Sequence, residues 1–147
     1  MTSLLVQHAD YIVSMDDNDT QWIDAGIYIV DNVIQQIGPT DRLPQEADRI
    51  LNASNMLILP GLVNTHHHFY QTLTRNLPAA QNANLFNWLR THYPIWARLT
   101  PEAISISTKI ALAELMLSGC TTSSDHTYIW PNGARLAMTP PLPVAAH

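Results

Sequence analysis

The rhythm of apolar and polar positions changes once along this chain, near Pro60. Before that point it is close to two, the period of a half-buried strand. Residues 3–15 alternate in part ("LLVQHADYIV") and predict one or two short strands. Gly26 to Gly38 is clearer. Ile27 and Ile29 alternate before Asp31-Asn32, and Val33 and Ile37 after it, which predicts a β-hairpin. A polar loop, Pro39 to Asp48, leads into "RILNASNMLILPG", a strand, a turn at Asn52-Ala53-Ser54-Asn55 and a second strand closed by Pro60-Gly61. Residues 1–59 are expected to form a small antiparallel β unit.

Beyond Pro60 the pattern lengthens. "LVNTHHH" reads as one short buried strand. Asn84 to Leu99 is aromatic-rich and interrupted by Pro94, so a broken helix is expected there. The next segment carries a full set of helix signals. Thr100 is the N-cap, Pro101 fits the first position, Glu102 complements the dipole and Gly119 terminates. Ile106, Ile110, Ala113 and Leu117 recur at helical spacing and predict the inward stripe. "CTTSSDH" is β-prone, so residues 60–136 read as strand, long loop, helix and strand: a βαβ crossover on a parallel sheet. Residues 137–147 break this pattern. Their only ionisable side chain is His147, and Pro140, Pro141 and Pro143 crowd together. A disordered, non-native tail is expected, from an out-of-frame reading or a truncated gene.

Composition narrows the function classes. With 147 residues, 46% hydrophobic and 13% charged, the chain is globular rather than disordered. A net charge of −5 and few Lys and Arg argue against a nucleic-acid surface. The single cysteine, Cys120, allows no internal disulfide; it is expected to be buried and inert, in a reducing compartment. The N-terminus has no basic region ahead of its apolar run, and no apolar run approaches the roughly 20 residues of a bilayer span. A cytoplasmic protein without membrane contact is expected.

The chemistry gathers at "LPGLVNTHHHFYQTLTR", Leu59 to Arg75. On a strand, residues i and i+2 share a face, so His66 and His68 point together and His67 points away. Two imidazoles at a strand end can reach one divalent ion. The competing reading is a solvent-exposed His tract, and the apolar run "LILPGLVNT" leading into the pair tells against it.

That stretch, with "LFNWLRTHYPIWARLTPE" and "LAELMLSGCTTSSDH", resembles the amidohydrolase superfamily, in its aminohydrolase branch of 8-oxoguanine deaminases and triazine hydrolases. The resemblance covers roughly residues 1–136. The family's "DASG" turn is altered, with Asn52 and Asn55 for its Asp and Gly, and Asn tolerates the left-handed conformation. The resemblance implies a β domain, part of a β-sandwich, then the first βαβ of a metal-dependent (β/α)8 TIM-like barrel that remains incomplete. It makes His66 and His68 metal ligands and leaves His67 out. It also implies one divalent metal, zinc first and iron second, activating water to deaminate an amino-substituted purine, pyrimidine or triazine. The remaining His and Asp ligands and the proton shuttles lie on later strands, so no catalytic group is assigned here.

Further residues have two readings each. Gln71 could hydrogen-bond a heterocyclic substrate or be an exposed loop residue. Trp88 and Trp96 could wall a planar pocket or pack under the long loop. His126, on one face with Ser124 and Thr122, could line the barrel mouth beside Asp125, whereas His8 and His92 read as ordinary residues. The small heterocycle is the expected partner, and a homo-oligomeric parent is expected. Two alternatives stand beside this reading. One is a truncated, inactive product that aggregates or needs a partner; the other is a different C–N hydrolase of the superfamily. The 147-residue chain alone is expected to bind metal weakly and to catalyse nothing.

Overall fold

A computed structural model describes residues 1–135, which divide into two compact units, Met1–Pro60 and the residues from Gly61 onward. The first unit is one five-stranded sheet. At its centre lies β1 (Ser3–Val13), with β2 (Gln21–Val30) antiparallel to it and β3 (Val33–Pro39) antiparallel to β2. The hairpin forms as the spacing predicts. Ile27 pairs with Ile37 and Val30 with Val33, and Asp31 makes the turn at φ 54°.

The antiparallel expectation fails at the other edge. β4 (Arg49–Asn52) and β5 (Leu57–Ile58) flank the predicted turn, but both run parallel to β1 instead of pairing with each other. The unit is therefore a mixed sheet. β4 and β5 instead pair along the free edge of β1, a single 11-residue strand that carries a bulge against β2 between Val6 and Ala9, with His8 at φ 60°. β4 pairs with residues 4–7 before the bulge and β5 with Tyr11 and Ile12 after it, so the turn steps across the irregularity. Asn52 Oδ1 accepts the Ser54 N–H at 2.9 Å and its hydroxyl at 2.6 Å, and Asn55 takes the left-handed conformation at φ 65°. Val6, Ala9, Ile12, Ala25, Ile27 and Ala53 form the core. At Gly26 a Cβ would lie 2.3 Å from the Val6 carbonyl oxygen, so only glycine fits.

One carboxylate ties the start of β1 to the approach of β4. Asp48 Oδ2 accepts the Ser3 N–H at 2.7 Å and the Ser3 hydroxyl at 3.0 Å, and these bonds hold its carboxyl below the usual range. A folded value below the unfolded one gives stability that is present above the unfolded value and lost as pH falls through the folded one. The thermal midpoint should therefore fall on acidification from about pH 5, and Asp48→Asn should flatten that fall. Equal slopes in both proteins would contradict this linkage.

In the second unit β6 (Leu62–Asn64) and β7 (Cys120–Ser123) pair in parallel, joined through α1 (Leu85–Trp96) and α2 (Pro101–Leu117). This is the βαβ order the sequence predicts. Thr100 Oγ1 accepts the Ala103 N–H at 3.2 Å, and Gly119 ends the segment at φ 83°. Cys120 is buried.

Three expectations are overturned here. β6 is not buried: Leu62 and Val63 are 56% and 64% exposed, because β7 is its only strand partner among the described residues. α1 is continuous despite Pro94. That proline sits in the last turn, where it costs one hydrogen bond rather than the helix, and Asn84 caps the other end through the Asn87 N–H at 3.0 Å. On α2 the inward residues are Ile104, Ser107, Thr108 and Ala111, whereas Ile106, Ile110, Ala113 and Leu117 are exposed. Apolar residues surround this helix, so periodicity alone could not choose its face. Ser107 decides it, its hydroxyl donating to the Phe69 carbonyl at 2.6 Å.

The core of this unit is built from Tyr70, Trp96, Ile104 and Ala134. No helix among the described residues is long and apolar enough to cross a membrane. The tail expected at residues 137–147 lies outside the described residues.

Candidate metal centre

β6 ends at Asn64, two residues before the first histidine, but its backbone pairing continues. The Ser124 N–H donates to the Asn64 carbonyl at 2.9 Å and the His126 N–H to the His67 carbonyl at 2.8 Å. The acceptors are three residues apart and the donors two, so the register slips by one residue past the strand end. His66 and His68 bring their ring centres to 5.1 Å at an interplanar angle of 85°, while the His67 ring packs 4.9 Å from Phe69.

His126 closes the group from the extension of β7. Its ring lies 4.5 Å from His66 and 5.7 Å from His68. Its carbonyl does more, because it takes a hydrogen bond from His68 Nδ1 at 2.7 Å. That bond puts the proton on Nδ1 and leaves Nε2 with a free lone pair, the arrangement a metal-ligating imidazole needs. Asp125 orders the chain that follows, accepting the Phe69 N–H at 3.0 Å at the entry to the 3₁₀ segment Phe69–Thr74.

The donor pair fits a divalent ion. Two imidazoles bound at about 2.0–2.1 Å to one tetrahedral zinc have ring centres about 5 Å apart, the spacing His66 and His68 already hold. No set of three His, Cys, Asp or Glu residues able to hold a metal occurs among the described residues. His67 has the opposite character. Its Nδ1 is buried without a hydrogen-bond partner, and burial holds its imidazole below the ordinary value against the pull of Asp125.

A cleft of ≈ 240 Å³ adjoins the pair, lined by the three histidines with Gln71, Thr72 and Arg75. Arg75 makes a two-pronged ion pair with Glu114 of α2, which raises the guanidinium and lowers the carboxyl. Of the residues singled out by sequence, His66, His68, Gln71 and His126 are brought together. Trp88 is elsewhere: it stacks on His92 at 4.3 Å and packs beside the Tyr70–Trp96 core. His92 is fully buried, between the Trp88 carbonyl at 2.9 Å and the Thr74 carbonyl at 3.2 Å. His8 lies in the first unit, 3.2 Å from the Asp24 carboxylate.

Sequence reasoning missed Thr72, Arg75 and the tyrosines Tyr70 and Tyr128 that lie 6.3 and 5.5 Å from His68. The period of two that found the histidine pair is replaced at Phe69 by a 3₁₀ turn, so alternation carries no information beyond His68.

Residues 57–139 match the Amidohydrolase family. The 8-oxoguanine deaminase of Pseudomonas aeruginosa is 50% identical over 114 residues, covering 77% of this chain and 25% of the relative. Hydroxydechloroatrazine ethylaminohydrolase of Pseudomonas sp. (strain ADP) is 38% identical over 86 residues, 57% of this chain and 18% of the relative. Among solved structures, a mutant of the atrazine chlorohydrolase TrzN from Arthrobacter aurescens TC1, complexed with zinc and atraton, superposes with a TM-score of 0.79. Its identity is 28%, over 87% of this chain and 29% of that one. The chain thus spans about a quarter or less of the length of the curated relatives named here.

Proposed function

Because the chain belongs to the amidohydrolase family, we propose that it contributes the metal-binding histidine pair of an enzyme that deaminates a heterocycle. In this reading residues 1–59 are its β domain and residues 60–136 supply the first βαβ of a (β/α)8 barrel. The substrate is an amino-substituted purine, pyrimidine or triazine. Water adds to the ring carbon bearing the amine, the carbon–nitrogen bond breaks, and ammonia or an amine leaves. The observation that carries this is the 5.1 Å pairing of His66 and His68 with the His68 tautomer set by the His126 carbonyl. The names of the relatives support the substrate class, and the zinc in the TrzN complex supports the metal.

His66 and His68 would hold the ion, zinc in the first instance, through one nitrogen each. When bound, the ion supplies Lewis-acid activation of water at neutral pH. The chain's own groups orient the reactants. The His126 carbonyl keeps His68 in the ligating tautomer, and Gln71 edges the cleft where a planar ring would lie. His67 stays neutral behind the pair. A catalytic zinc site uses about three protein ligands, and two are available here, so the chain alone is expected to bind zinc weakly and not to turn over.

The test is a chimera in which residues 1–135 replace the matching segment of the Pseudomonas aeruginosa 8-oxoguanine deaminase. Ammonia release from 8-oxoguanine, with zinc present, is the expected result. A folded, zinc-loaded chimera that releases no ammonia from 8-oxoguanine or from an aminotriazine overturns the reading.

A further inference from the structure

In a parallel strand pair the ladder bonds are evenly spaced, so N–H donors two residues apart meet carbonyls two residues apart. The Ser124 N–H donates to the Asn64 carbonyl at 2.9 Å, and regular spacing would then send the His126 N–H to the His66 carbonyl. It goes to His67 instead, at 2.8 Å. One extra residue therefore stands on the histidine side, which makes Thr65–His66 a bulge.

A bulge takes backbone groups out of the ladder, and here two side chains take them up. The Ser124 hydroxyl donates to the Thr65 carbonyl at 2.7 Å. Asn64 Oδ1 accepts the His66 N–H at 3.2 Å. Ser124 thus spans the slip from the opposite strand, its N–H on the Asn64 carbonyl and its hydroxyl on the next one along. The slip has a consequence for His68. In regular register His68 would lie one residue, about 3.3 Å, farther along, away from the His126 carbonyl to which its Nδ1 now donates at 2.7 Å.

We propose that Ser124 is a positioning residue for His68: its hydroxyl holds the Thr65–His66 bulge, and the bulge brings His68 Nδ1 to the His126 carbonyl. Without the hydroxyl the Thr65 carbonyl has no partner on the opposite strand, and the pair relaxes toward regular register. His68 then loses the bond that keeps its proton on Nδ1 and its Nε2 lone pair free. The effect on a metal rests on the reading of His66 and His68 as ligands; the bulge and the His68 tautomer do not.

The experiment uses the ¹³C,¹⁵N-labelled 147-residue chain. A coupling across the hydrogen bond from the His126 amide nitrogen to the His67 carbonyl carbon is expected. No such coupling, or one to the His66 carbonyl, overturns the proposal without any variant. Ring ¹⁵N shifts at about pH 8, where imidazole is neutral, should show His68 protonated on Nδ1. Ser124→Ala should move that proton toward Nε2, and Ser124→Thr, which keeps the hydroxyl, should restore it. A folded Ser124→Ala chain with the His68 tautomer unchanged overturns the proposal equally. Zinc is then titrated, and Ser124→Ala should weaken its binding by about tenfold, the scale of a lost outer-shell partner. A shifted tautomer with unchanged zinc affinity upholds the positioning role and counts against the ligand reading instead.

Discussion

In the chimera, His66→Ala and His68→Ala should each lower zinc affinity by about 100-fold or more, while His67→Ala leaves it within a few-fold. The scale follows from outer-shell partners, whose loss already costs about 10–100-fold. The asymmetry follows from where the rings lie. Those of His66 and His68 face each other, whereas that of His67 packs against Phe69. The rings of His66 and His68 already stand at a spacing that one tetrahedral ion accepts. His67 has no such role, since its Nδ1 is buried without a partner and its imidazole is kept neutral by burial. Truncating it removes an unsatisfied polar atom and should be nearly neutral for stability. Zinc content after dialysis against a weak chelator would be measured in all three variants. Equal loss in all three, or loss in the His67 variant alone, would overturn the assignment of His66 and His68 as the ligand pair.

The residues that carry this prediction were legible because alternation is a local property. It needs only an extended backbone, which Leu62–Asn64 supplies up to the histidines. The hairpin at Asp31 and the cap at Thr100 were legible for the same reason, each being decided within a few residues. What could not be read was decided by partners distant in sequence. The direction of β4 and β5 depends on their pairing with β1, some 40 residues away, and Asn52–Asn55 looks alike whether it closes a hairpin or steps along a neighbour. The inward face of α2 depends on Ser107 meeting the Phe69 carbonyl, and an apolar-only pattern discards a serine. Tyr70 was passed over because it follows the histidines in a 3₁₀ turn, where neither the period of two nor that of 3.6 applies.

Trp96→Ala should destabilise the second unit by about 3–5 kcal/mol, the range for emptying a buried aromatic site. Of the two tryptophans in the aromatic segment, this is the one without exposure, whereas Trp88 is only partly buried. Its ring touches a face or edge of each neighbour: Tyr70 at 5.3 Å, Trp88 at 5.3 Å, His92 at 5.0 Å and Tyr93 at 5.5 Å. Its indole N–H donates to Thr74 Oγ1 at 3.0 Å, which fastens α1 to the 3₁₀ segment carrying Tyr70 and Gln71. The loss therefore combines a cavity with one lost hydrogen bond, the Thr74 hydroxyl keeping only the bond it donates to the Gln71 carbonyl at 3.1 Å. Trp96→Phe keeps most of the ring and gives up the bond, so a smaller cost, about 1–3 kcal/mol, is expected of it. Domains of this size are stable by only about 5–15 kcal/mol, so Trp96→Ala should leave α1 and α2 amides exchanging with solvent under conditions where the unmodified chain protects them. Denaturant titration gives the energies and hydrogen exchange locates the opening. A Trp96→Ala protein within 1 kcal/mol of the original, with α1 still protected, would mean that this cluster does not hold the second unit together.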